Sequence, residues 1–119
     1  MNKHIFYFEP DYDQLFYDPE EGYSYYDTIY LSETEEIKLN ISPALNDWLN
    51  KYIEKVLFPC AAGQISLDKL NKTFDWKTFH EQGIKFAKEI KKQLPENIIL
   101  KYTAPFEDKS GIITKEINI

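Results

Sequence analysis

The sequence predicts an α+β fold: an antiparallel sheet of about four strands with two long helices packed on one face, in the order β-β-α-α-β-β. Three observations predict it. Alternating apolar stretches sit toward the two ends of the chain, and two amphipathic stretches with helical spacing fill the middle. Strands and helices are therefore grouped rather than interleaved. The 119 residues are expected to form a single domain, 1–119, and the content of 43% hydrophobic and 16% aromatic residues is enough for one core without staples.

Residues 3–8 contain IFYF, aromatic and β-branched side chains that suit a pleated surface, and Glu9-Pro10 closes the run. The run is too short for the apolar region of a secretory signal, so it is expected to be a strand. YSYYDTIYL predicts the second strand, with Tyr23, Tyr25, Ile29 and Leu31 on one face and Ser24, Tyr26, Thr28 and Tyr30 on the other. Asp18-Pro19 and Gly22 mark the turn between the two strands, and residues 32–36 read as a polar connection.

Ser42-Pro43 opens the first helix, with serine as cap and proline in the first helical position. Leu45, Trp48, Leu49, Tyr52, Ile53, Val56 and Leu57 then form one apolar stripe, and Pro59 is expected to end it. Residues 59–73 read as irregular, with one or two helical turns over 66–70. The second helix opens at Asp75. Phe74 before that cap and Phe79 at the fourth helical position predict a hydrophobic staple. Its inner face is Phe79, Gly83, Phe86, Ala87, Ile90 and Leu94, with lysines mostly outward. A glycine inside a helix costs about 1 kcal/mol relative to alanine, so Gly83 predicts close approach of the first helix or the sheet. Residues 98–104 and 112–117 read as the last two strands, joined by a turn over 107–111.

Composition bounds the function. The only cysteine, Cys60, excludes an internal disulfide, and with His4 and His80 as the only histidines no Cys/His zinc site can be assembled. An unpaired thiol fits a reducing compartment, so a cytoplasmic location is expected. No stretch has the roughly 18 consecutive apolar residues of a membrane span, so no membrane partner is expected. The net charge of −6 conceals a split. Residues 1–36 carry ten carboxylates against Lys3, a net of −9, and the remainder carries ten against thirteen lysines, a net of +3. All basic residues are lysine, so bidentate arginine recognition of phosphate is impossible, and nucleic acid is not an expected partner. A basic protein is the natural complement of such a surface.

No catalytic set emerges. His80-Glu81 begins like a zinc-protease helix, but the second histidine position holds Ile84, and His80 reads as a surface or boundary residue. Cys60 follows a helix end, where the dipole disfavours a thiolate, and nothing orients either histidine toward it. Asp11-Tyr12-Asp13-Gln14-Leu15 lacks the third ligand and the glycine of a calcium loop. No enzyme activity, cofactor or metal is expected. What remains is the stretch DYDQLFYDPEEGYSYYD, residues 11–27, with six carboxylates and five tyrosines. Tyrosine gives large contact area and a polar tip at low entropic cost, and dense negative charge opposes folding unless it captures a cation. Asp11, Asp13, Tyr17, Asp18, Glu20, Glu21, Tyr23, Tyr25, Tyr26 and Asp27 are therefore the expected partner-binding residues, with Tyr26 directed away from the core.

Residues 74–104, FDWKTFHEQGIKFAKEIKKQLPENIILKYTA, carry Trp76, Phe79, Gly83, Ala87, Leu94 and Tyr102 in a helix-then-strand layout. This layout resembles small bacterial immunity proteins of polymorphic-toxin and contact-dependent growth-inhibition systems. The resemblance implies a non-catalytic cytoplasmic antidote that binds one cognate basic toxin domain, often a nuclease. The matching positions are structural and carry over no binding residue. Two alternatives compete: a small carboxylate-based enzyme or ligand-binding domain, with Trp48, Trp76 and tyrosines lining a pocket, and a homo-oligomer joined through an edge strand at 112–117.

Overall fold

The computed structural model describes residues 3–119. Its main sheet has five strands in the order β3-β2-β1-β6-β7: β1 His4–Asp11, β2 Gln14–Asp18, β3 Tyr23–Tyr25, β6 Ile98–Tyr102 and β7 Ile117–Asn118. β4 Thr28–Tyr30 and β5 Glu36–Lys38 form a separate two-stranded antiparallel hairpin. The α+β class holds, but the sheet is mixed rather than antiparallel. β1 runs parallel to β6, in register from His4↔Ile98 to Phe8↔Tyr102. A parallel pair requires a crossover, and all the helices lie in the chain between these two strands.

Alternation builds the core face of the sheet. Phe6, Phe8, Leu100 and Tyr102 are fully buried on one face, while Ile5, Tyr7, Ile99 and Lys101 on the other are partly exposed. Phe8 and Tyr102, paired across the strands, stack with ring centroids 6.0 Å apart. Phe8 also meets Trp48 at 5.8 Å. The bulge in β1 between Phe8 and Asp11 contains Pro10, which has no N–H to give the ladder.

Helix α1, Pro43–Tyr52, is capped by the Ser42 hydroxyl, which accepts the Leu45 N–H at 3.2 Å. It does not stop at Pro59. A π-helical turn, Ile53–Leu57, carries it into α2, Phe58–Ala61, which includes that proline. The wider turn sends the Phe58 N–H to the Ile53 carbonyl five residues back. This relieves the ring clash that would break a regular helix. α3, Leu67–Thr73, makes about two turns as expected but runs past residue 70 to Thr73, and the Ser66 hydroxyl caps it. α4, Trp76–Lys91, begins as predicted. Asp75 accepts the Thr78 N–H at 3.1 Å, and the Phe74 and Phe79 rings lie 5.7 Å apart.

α1 and α4 pack on the same face of the sheet. Trp48 stacks on Phe79 at 4.6 Å, and its indole N–H donates to the Phe79 carbonyl at 3.1 Å. Gly83 is where helix, helix and sheet converge: a Cβ there would lie 2.5 Å from the Tyr102 hydroxyl oxygen and 2.8 Å from Trp48. The close approach comes from both predicted directions. Three further expectations are corrected. YSYYDTIYL is two strands in different sheets, broken at Tyr26-Asp27; β2 lies inside the acidic stretch; and of the last expected strand, 112–117, only Ile117 is in a strand, the two-residue β7 that pairs with β6.

Candidate functional site

The acidic stretch is distributed along the β2–β3 edge of the sheet. Asp11, Tyr12 and Asp13 make the β1–β2 turn, with Asp13 in the left-handed region at φ 50°, which a short polar side chain tolerates. Asp18–Gly22 makes the turn at the other end of β2. Five extended residues span about 17 Å, so the two acidic turns are separate clusters. Tyr17, between them, is half-buried and stacks on Tyr7 at 6.5 Å.

Two of the expected binding residues are committed inside the protein. Asp18 is fully buried: one carboxylate oxygen lies 3.0 Å from His4 Nε2, and the other accepts the Glu20 and Glu21 N–H groups at 3.0 and 3.4 Å. It shapes the turn rather than facing solvent. Tyr26 does not point away from the core, because its hydroxyl donates to Asn46 Oδ1 in α1 at 2.7 Å. Asp27 is half-buried and accepts the Thr28 hydroxyl at 3.1 Å. Asp11, Asp13, Glu20, Glu21 and Tyr23 are exposed, and Tyr25 is half-buried against Phe6.

Between the β2–β3 and β4–β5 hairpins lies a groove of about 750 Å³, lined by Glu21, Tyr23, Tyr25, Tyr30, Leu31 and Glu33 together with Ser24 and Ser32. Tyr25 and Tyr30 meet at 5.6 Å with planes inclined 48°, forming an open corner. Burial, then Asp18, Tyr23, Glu21 and Tyr30, push the Tyr25 phenol above its ordinary pKa, as expected where the local field is negative. A second recess of about 580 Å³ shares Leu31 and is bordered by Lys3, His4, Glu20 and Glu35. Tyr30, Glu33 and Glu35 were not among the expected binding residues. The alternation that put Tyr30 on the face opposite Tyr25 was the misleading signal, because the chain breaks between them.

A different polar constellation lies in the interior. His80, expected near the surface, is only 2% exposed. Its Nε2 is 2.5 Å from Asp108 Oδ2 and its Nδ1 is 2.7 Å from the Tyr102 hydroxyl. Beside it, the Tyr52 hydroxyl donates to Glu107 at 2.8 Å, and the Asn71 amide donates to the Glu107 carbonyl and accepts the Lys109 N–H. Burial, reinforced by Glu107 and Asp108 respectively, pushes the Tyr52 and Tyr102 phenols far above their ordinary pKa. An imidazole between a carboxylate and a phenol has the form of a proton relay. Here the phenol is sealed against Gly83, so the set acts as a clamp on the loop after β6. Trp76, stacked on His80, has an indole N–H without a partner among the described residues. Cys60 is half-buried with its thiol pushed up by burial and by Glu107, the reverse of an activated nucleophile. Among the described residues no group of three or more metal-ligating side chains converges, and no helix is long and apolar enough to cross a membrane.

No protein-family model, curated protein or solved structure matches this chain. The acidic, tyrosine-lined groove between the hairpins is open to solvent.

Proposed function

We propose that this chain is a toxin-neutralising immunity protein whose acidic, tyrosine-rich face captures a basic toxin domain, a nuclease being the best fit. The observation that carries the reading is the groove between the hairpins, where three tyrosines and two glutamates face solvent on the acidic portion of the chain. Aromatic anchors ringed by like charge suit a partner of opposite charge, and a nuclease groove built for phosphate is such a partner. The layout of residues 74–104 points the same way. The carboxylate-enzyme alternative draws less support, since Asp11, Asp13, Asp18 and Asp27 line neither cavity described above.

The test is to look for a toxin domain encoded next to this chain and to co-express the two, followed by pull-down and association kinetics. Capture and protection from killing are expected. Replacing Asp11, Asp13, Glu20, Glu21 and Asp27 with Asn or Gln should slow association by about one to three orders of magnitude and flatten its salt dependence. An unchanged rate and salt slope would mean that the acidic face is solvated surface only.

A further inference from the structure

We infer that the groove between the two hairpins receives an arginine side chain carried on an extended segment of the partner, a refinement that rests on this face being a protein-binding surface. Three features converge on that ligand. The first is aromatic shape. Tyr25 and Tyr30 form a corner 5.6 Å between centroids, and Tyr23, 63% exposed, supplies a further wall. A planar guanidinium stacks on such faces and is drawn to their negative quadrupole.

The second is charge. Glu21 in the β2–β3 turn and Glu33 in the β4–β5 turn border the groove, and no lysine lines it. Two carboxylates from different turns match the fork of guanidinium donors better than a compact ammonium. The neighbouring recess is the poorer host, because Lys3 borders it.

The third is the backbone. Side chains alternate across a strand, yet Tyr23, Ser24 and Tyr25 all line the groove, so the cavity wraps the edge of β3 rather than one of its faces. β3 is the terminal strand of its sheet, and among the described residues its outer edge pairs with no strand. An extended segment laid along that edge meets main-chain donors and acceptors while its arginine enters the tyrosine corner.

The probes are two capped tripeptides, Gly-Arg-Gly and Gly-Lys-Gly, titrated into the full chain and followed residue by residue by NMR. The arginine peptide should shift Glu21, Tyr23, Tyr25, Tyr30 and Glu33 and bind about two- to fivefold tighter than the lysine peptide. Tyr30→Leu and Glu33→Gln alter exposed side chains and should each weaken it by about two- to fivefold. Spectra unchanged away from the groove would establish that these variants fold. Equal binding of the two peptides, or shifts confined to the Asp11–Asp13 turn, would overturn the arginine site. Toxin capture that survives Tyr30→Leu and Glu33→Gln but fails when only Asp11, Asp13, Glu20 and Asp27, which lie outside the groove, are replaced would overturn the groove alone. Capture indifferent to both sets would overturn the underlying reading as well.

Discussion

Gly83 sits where the room for one methyl group is smallest. An alanine there would gain about 1 kcal/mol of helix propensity. Its Cβ would however press on the Tyr102 ring and on Trp48, both buried in the core. Overpacking of this kind costs about 1–3 kcal/mol, so Gly83→Ala should be destabilising by about 1–2 kcal/mol in denaturant titration. A gain in stability would mean that helix and sheet stand farther apart. Glu9 makes a pH-dependent prediction. It is half-buried, and burial, then Asp11 and Glu107, raise its pKa above the ordinary value. Its protonated form is thus favoured by folding, a contribution present below the unfolded pKa and lost as pH rises through the folded one. Glu9→Gln should raise the melting temperature at neutral pH, and the gain should vanish below about pH 4. Single residues were unevenly legible: Gly83 declared its tight packing by breaking a helix rule, whereas nothing near Asp18 in sequence announces His4, 14 positions away, and nothing near His80 announces Tyr102 or Asp108, 22 and 28 away.

Helix starts were the most legible elements, because their chemistry is local. Ser42-Pro43 and Phe74-Asp75 each place cap, first turn and apolar stripe within a few residues. Ser42→Ala should therefore cost about 1 kcal/mol in thermal or denaturant unfolding, with the α1 amides near Leu45 losing protection first. The continuation past Pro59 was hidden, since a π turn has no residue signature. β2 was hidden for a different reason. Leu15 and Phe16 are adjacent and both buried, which erases the period of two, and the surrounding carboxylates read as loop. The parallel pairing of β1 with β6 left no trace either, because burial alternates the same way whichever direction the neighbour runs. The groove inherits these failures: its two walls are carried by β3 and β4, which the sequence reads as one continuous strand.

At the scale of the whole molecule, the interior clamp predicts an alkaline limit. Tyr52 and Tyr102 have phenols raised above the unfolded value of about 10, so their contribution is present below that pH and lost as pH rises beyond it. A near-ultraviolet titration should show the exposed tyrosines ionising reversibly first. The last two phenolates should appear only with cooperative unfolding. If all nine tyrosines ionise while near-native ellipticity persists, Tyr52 and Tyr102 are not sealed in the core.

The parallel pairing of β1 with β6 also has a consequence in time. β1 is the first strand of this chain to be synthesised, and β2 can close on one of its edges almost at once. Its other edge is reserved for residues 98–102, which are made only after all the helices. At ordinary rates of translation that interval is on the order of ten seconds. Until α1 is made, Phe6 and Phe8 have neither strand nor helix over them, and β6 is missing throughout. The nascent chain therefore carries a half-paired ribbon while the residues between β1 and β6 are made, and its central sheet can close only once β6 has been synthesised.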